Sequence, residues 1–75
     1  LFKIFPNPSS GTFAIEFGDD VNFEMMTIYN QLGRKVFEGP LNATRQYEIA
    51  LSNGLYMLEL QKDNKTERQM LLITK

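Results

Sequence analysis

The spacing of turn-forming residues constrains the fold of this chain more than any other feature. Gly, Pro, Asn and Asp recur at intervals of roughly eight to twelve residues, and between them lie short runs rich in Phe, Ile, Tyr, Thr and Leu. Runs of this length that alternate apolar and polar residues indicate strands, and no segment shows the period of a helix. The sequence therefore predicts an all-β chain.

Seven strands are predicted, over residues 1–5, 11–17, 23–29, 34–37, 46–51, 55–61 and 66–74. A chain of 75 residues is one small domain at most, so we assign 1–75 to a single domain. Each sheet of such a chain can hide its apolar face only on another sheet. We therefore expect an immunoglobulin-like antiparallel β-sandwich.

Alternation in the second and third strands predicts their buried faces. The side chains expected in the core are Phe13, Ile15, Phe17, Met26 and Ile28. The intervening positions of the third strand are partly apolar as well, and they are expected to face outward: Phe23, Met25, Thr27 and Tyr29.

Gly and Pro positions predict the connections. Residues 30–33 indicate a type I turn closed by Gly33 in the left-handed region, which makes a hairpin. Residues 18–20 predict a second turn, residues 38–40 are expected to end the fourth strand, and residues 41–45 to connect the sheets.

Tyr56 enters a late strand two residues after Gly54. This placement fits a tyrosine corner, in which the tyrosine hydroxyl donates a hydrogen bond back to the backbone a few residues upstream. The alternative is an ordinary half-buried tyrosine. A corner would fix the crossover between the two sheets.

Composition excludes most catalytic and metal chemistry. With no Cys and no His, the chain has no thiol nucleophile, imidazole base, disulfide or Cys/His zinc site. Asp19 and Asp20 with nearby Glu16 are the only acidic cluster, and the ligand spacing of a calcium loop is missing. We therefore expect no catalytic residue, no metal and no cofactor.

Charge and hydropathy also exclude nucleic acid and membrane spanning. The chain has eight scattered basic residues and nine acidic ones, so it has no basic surface that would attract nucleic acid. Its longest apolar run, 70–73, is far shorter than the roughly 20 residues of a spanning helix.

Because the chain opens at Leu1 without an initiator Met, we expect a segment of a longer protein. The features that remain available for a function are stiff turns, sheet edges and a terminus. Because other proteins recognise such features, the sequence predicts a binding or interaction module.

A series of motifs in a fixed order then points to a family. They are Pro6, Asn7 and Pro8 with Gly11 and Phe13; Ile28, Tyr29 and Asn30 with Leu32 and Gly33; Val36; Ile49 and Leu51; Gly54, Leu55 and Tyr56; and a hydrophobic strand ending in Lys75. With these motifs the chain resembles the C-terminal sorting domain of the type IX secretion system, type A, over nearly all of its length.

The resemblance implies a function. Such domains follow a Sec signal peptide and a cargo domain in certain Gram-negative bacteria, and the outer-membrane translocon and shuttle proteins read them in the periplasm. A surface sortase then removes the domain, and the cargo stays at the cell surface or is released. The resemblance thus implies the substrate of an enzyme, with no activity of its own.

The family motifs carry over to single positions. The residues that match, and that are expected to carry recognition or to shape it, are Pro6, Asn7, Pro8, Gly11, Gly33, Gly54, Tyr56, Leu71, Leu72, Ile73 and Lys75. Two positions depart from the pattern. Gln69 stands where a basic residue is frequent, with Arg68 adjacent, and Glu24 stands where an apolar residue is usual.

Two other classes of function stay open. An immunoglobulin-like or fibronectin-like module of a surface enzyme, binding carbohydrate or protein, is favoured if two of Tyr29, Phe37 and Tyr47 face solvent together. An enzyme requires two carboxylates to converge in a pocket with one pKa raised. The candidates are Glu16, Asp19, Asp20, Glu24 and Glu48.

Overall fold

A computed structural model describes residues 2–18 and 22–75 of the chain. Its elements are β1 (Phe2–Phe5), β2 (Thr12–Phe17), β3 (Met25–Tyr29), β4 (Lys35–Pro40), β5 (Gln46–Glu48), β6 (Gly54–Lys62) and β7 (Lys65–Ile73). No helix occurs in these two ranges. The predicted all-β class is confirmed. Leu1, at the start of the first predicted strand, and Asp19 and Asp20 of the predicted turn lie outside the described residues.

The strands form two antiparallel sheets that pack face to face. One has the order β1-β2-β5 and the other the order β4-β3-β6-β7. The first, second and fifth strands thus face the third, sixth and seventh, as in the immunoglobulin-like arrangement, and β4 extends the second sheet. The predicted sandwich is confirmed, and residues 41–45 do cross between the sheets.

The core lies between the two sheets, and its members are Phe2, Ile4, Phe13, Ile15, Phe17, Phe23, Met26, Ile28, Tyr47, Leu51, Tyr56, Leu58, Leu60, Leu71 and Ile73. All five side chains that alternation predicted to be inside are among them. Phe23, predicted to face outward, is buried and packs edge to face on Phe17 with ring centroids 5.3 Å apart. That prediction was wrong because β3 begins only at Met25, so the alternation does not reach back to Phe23.

Two strands, β4 and β5, end well away from their predicted ends. β4 continues through Pro40, which pairs with Met25, where residues 38–40 were expected to end the strand. Proline is tolerated there because β4 is an edge strand, and its missing N–H leaves no partner unbonded. β5 stops at Glu48, and the N–H of Ile49 still donates to the carbonyl of Gly11, the next position in the β2–β5 register.

Candidate functional site

The residues that match the family motifs lie far apart in sequence and gather at one end of the sandwich. Here β1, β3 and β7 end while β2, β4 and β6 begin. Gly54 pairs with Ile73, Ser9 bridges Ile73, and the Ile49 amide bonds to the Gly11 carbonyl. We call this region, made by residues 5–12, 28–36, 49–57 and 69–75, the motif end.

Asn7 joins the first corner of the chain to the last strand. Its Nδ2 donates to the carbonyl of Met70 at 2.8 Å, and its Oδ1 accepts the N–H of Leu72 at 3.0 Å. The peptide bonds before Pro6 and Pro8 are both cis. Through its bonds to Met70 and Leu72, the side-chain amide of Asn7 takes the place of a strand residue along the outer edge of β7.

Ser9 continues this contact and was not singled out by sequence reasoning. Its N–H donates to the Leu72 carbonyl at 2.8 Å, and its carbonyl accepts the Thr74 N–H at 2.8 Å. Its buried hydroxyl accepts the Gly11 N–H and donates to the Thr12 carbonyl. A serine two residues before a glycine in a proline-rich turn is a local signal for such a turn. Its pairing with Leu72 is long-range and left no local signal.

Gly11 is required by a close approach of two backbones. A Cβ at this position would stand 2.7 Å from the carbonyl oxygen of Ile49, and the residue has a φ of +113°. Any larger side chain would push β2 away from the segment that follows β5. Gly11 therefore allows the β1–β2 corner to approach the segment that leads from β5 to β6 at the motif end.

Tyr56 forms the predicted corner. Its hydroxyl donates to the carbonyl of Ser52 at 2.7 Å, four residues upstream, and its ring is buried at the start of β6. Gly54, the first residue of β6, lies against that ring, 3.7 Å from where its Cβ would be. The corner fixes the path by which the chain enters a central strand of the larger sheet.

Gly33 closes the predicted hairpin between β3 and β4. It has a φ of +78°, in the left-handed region, and its N–H donates to the Asn30 carbonyl at 3.0 Å. The Asn30 side chain also accepts the N–H groups of Leu32 and Arg34. These bonds leave the Leu32 side chain 88% exposed at the tip.

The terminal strand divides into buried and accessible residues. Leu71 and Ile73 are fully buried in the core, Leu72 is half-buried on the outer face of the larger sheet, and Lys75 is exposed. The N–H of Lys75 donates to Oδ1 of Asn53 at 2.9 Å. Sequence reasoning did not find Asn53, because this bond joins residues 22 positions apart. Of the terminal motif in the folded chain, Leu72 and Lys75 are the side chains that another molecule can reach.

The two departures from the family pattern have local explanations. The Gln69 side chain donates to the carbonyl of Phe2, so it ties the terminal strand to β1. Glu24 is exposed just before β3, where its carboxylate is solvated, and its backbone bonds to Gln61 and Leu41 on both sides. Neither residue disturbs the register of its strand.

Glu59 of β6 is buried, and sequence analysis did not single it out. It lies in the middle of the larger sheet's outer face, where Nε of Arg68 donates to its carboxylate at 2.6 Å. This hydrogen bond raises the pKa of Arg68 above its ordinary value. Arg68 itself stays exposed and covers Glu59 from the solvent side, which is how the carboxylate is tolerated in that position.

Two of the candidate carboxylates, Glu16 and Glu48, do not lie side by side, and Asp19 and Asp20 lie outside the described residues. Glu16 and Glu48 are exposed on the smaller sheet and lie on different rungs, Glu16 opposite Lys3 and Glu48 opposite Thr12. Within residues 2–18 and 22–75, no group of acidic side chains is arranged to hold a metal ion. In the same ranges, no helix long and apolar enough to cross a membrane is present.

The three aromatic residues considered for a sugar platform do not face solvent together. Tyr47 is buried and stacks on Phe13, Phe37 packs against the core, and Tyr29 is half-buried. The Tyr47 hydroxyl accepts the N–H of Asn42 at 3.0 Å, and burial raises the pKa of this hydroxyl. The arrangement that would favour a carbohydrate-binding module is therefore not formed.

Comparison with known proteins agrees with the motifs. The family model of the Secretion system C-terminal sorting domain matches residues 3–74. No curated protein matches the chain. Because the match covers nearly the whole chain, the chain belongs to this family, whose members are C-terminal sorting signals of the type IX secretion system.

Proposed function

We propose that this sorting domain is a folded export address, which the outer-membrane translocon and shuttle proteins of the type IX system read in the periplasm. A surface sortase then cuts the chain from its cargo, and the cargo stays at the cell surface or is released. In this role the domain is the sortase's substrate and performs no chemistry itself.

The observation that carries the proposal is the convergence of the family's motif residues at the motif end. Asn7 and Leu72, which bond to each other, are 65 positions apart in the sequence. Gly54 and Ile73 are paired across the β6–β7 ladder. The surface they build exists only when the whole chain has folded, so a receptor for this surface reads the conformation of the domain.

Export of a reporter tests the proposal. A periplasmic reporter enzyme fused ahead of residue 1 should appear at the surface or in the medium of a bacterium with a type IX system. It should accumulate in the periplasm of a matched strain without the translocon. Surface display that is independent of the translocon would contradict the proposal.

Deleting residues 72–75 should also trap the reporter in the periplasm. This truncation removes the fully buried Ile73 together with the bonds to Ser9 and Asn7, so it affects folding as well as recognition. Circular dichroism of the truncated chain separates the two effects. Normal display of the truncated fusion would refute the role of the terminal segment.

A further inference from the structure

Charge is distributed unevenly between the two ends of the sandwich. The four segments of the motif end contain Arg34, Lys35 and Lys75 and no acidic residue, whereas the rest of the chain holds five basic and nine acidic residues. Lys35 is paired with Glu38 at 3.2 Å. No described residue forms an ion pair with Arg34 or Lys75. The motif end is therefore a basic surface on an acidic protein.

An apolar groove lies on the larger sheet's outer face within this basic surface. Leu55 and Met57 of β6 stand opposite Leu72 and Met70 of β7 in the ladder. With Asn30 and Gln31 of the hairpin, the residues Leu55, Met57 and Met70 line a cavity of about 310 Å³ that is open to solvent. We call this cavity the methionine groove.

The backbone N–H groups of Arg34 and Lys75 are each bonded to a residue at or near the methionine groove. The backbone of Arg34 is bonded to Oδ1 of Asn30, a groove residue, at 3.0 Å. Lys75 is bonded to Asn53, two residues before the groove residue Leu55. Each cation is therefore held by backbone close to the groove, with its side chain free to reach a partner.

We propose that the methionine groove is the docking surface for a protein of the export machinery that presents an apolar side chain with Asp or Glu carboxylates beside it. This inference rests on the proposed function and specifies the surface that is read. Apolar anchors seated in a groove within a charged rim are the usual anatomy of a protein interface. Unpaired cations beside the groove attract and orient a partner of opposite charge.

The shape and chemistry of the groove favour a protein over a membrane. Its floor is concave, and a concave floor accepts an inserted side chain, whereas a surface that enters a bilayer must project its own apolar side chains. Methionine side chains are flexible and polarizable, so the same groove adapts to different inserted groups.

Charge reversal with a matched control tests the rim. Arg34→Glu with Lys75→Glu reverses both free cations, and Lys62→Glu with Lys65→Glu makes the same charge change at the opposite end, beside the β6–β7 turn. We expect the first pair to lower export of the reporter by about tenfold or more and the second pair to leave it near the unmodified level. Thermal unfolding of each purified variant should stay close to that of the unmodified chain.

A second pair of variants tests the groove itself. Met70 is 46% exposed in the groove, and Gln46 is exposed on the outer face of the smaller sheet, outside the motif end. Met70→Ser should lower export by several-fold, and Gln46→Ser should not. A photoreactive amino acid at position 70 should crosslink to a component of the export machinery in cells, whereas one at position 46 should give no such product.

The outcomes separate this inference from the proposed function. If the unmodified fusion is not exported, the proposed function is wrong. If it is exported and the Arg34/Lys75 variant is exported as well as the Lys62/Lys65 variant, the docking surface is wrong while the sorting role stands. Binding of the chain to phosphatidylglycerol vesicles that is lost on reversal of Arg34 and Lys75 would assign the surface to anionic lipid and overturn the inference.

Discussion

Asn7→Ala is the substitution that most directly tests how the motif end is held together. It removes the two hydrogen bonds between the Asn7 side chain and the backbone of Met70 and Leu72. Each neutral hydrogen bond contributes about 0.5–1.5 kcal/mol net, and these two are near solvent, so the lower half of that range applies. The expected loss in the free energy of unfolding is about 1–2 kcal/mol.

Such a loss is large for a chain of this size. A domain of 75 residues has a stability of about 4–11 kcal/mol, and each kcal/mol lost lowers the melting temperature by about 4–8 °C. Urea denaturation followed by far-UV circular dichroism at pH 7 measures the change, with the m-value checked for constancy.

Ser10→Ala is the matched control. Ser10 is exposed in the same corner, and no hydrogen bond from its side chain occurs within residues 2–18 and 22–75, so its loss should cost less than about 0.5 kcal/mol. If Asn7→Ala is no more destabilising than Ser10→Ala, the Asn7 bonds do not hold the terminal strand, and the physical account of the motif end is wrong.

The remaining predictions concern stability and its pH dependence. Tyr56→Phe removes the hydrogen bond to Ser52 and should cost about 1 kcal/mol in urea denaturation; an unchanged midpoint would show that the corner bond is immaterial. Ile73→Ala should cost about 2–5 kcal/mol, because Ile73 is fully buried, whereas Lys75→Ala should leave the melting temperature nearly unchanged. Tyr47 has a raised pKa from burial, so its contribution to stability is intact below pH of about 10 and is lost as the pH rises through the raised value. The stability difference between the unmodified chain and Tyr47→Phe should therefore shrink above pH of about 10, and a constant difference would refute the assignment.

Local patterns predicted most of the fold because they report which way a strand faces. The alternation that places Met26 and Ile28 inside depends only on residues of β3, and the Gly33 turn depends only on four consecutive residues. Phe23 and the end of β4 were misplaced because a strand's boundary depends on its neighbours. The pairing of Pro40 with Met25, for instance, cannot be read from the residues around Pro40.

The candidate site was predictable in its parts and not in its assembly. Motif matching identified Asn7, Gly54 and Lys75, but the residues that join them, Ser9 and Asn53, bond to positions more than 20 residues away. The burial of Glu59 depends in the same way on Arg68 in the neighbouring strand. The Asn53–Lys75 and Glu59–Arg68 contacts follow from the register of β6 on β7, whereas Ser9 meets Leu72 only when the first corner of the chain packs along the last strand.

The segment that borders the last strand also determines where the larger sheet stops growing. The N–H and carbonyl of Ser9 both point toward Leu72 and Thr74, so the neighbouring backbone of Pro8 faces away from the sheet. Proline has no amide hydrogen, and the outward side of this segment cannot offer the regular row of donors that another extended chain would need. At this border the protein resists adding a strand from a second molecule.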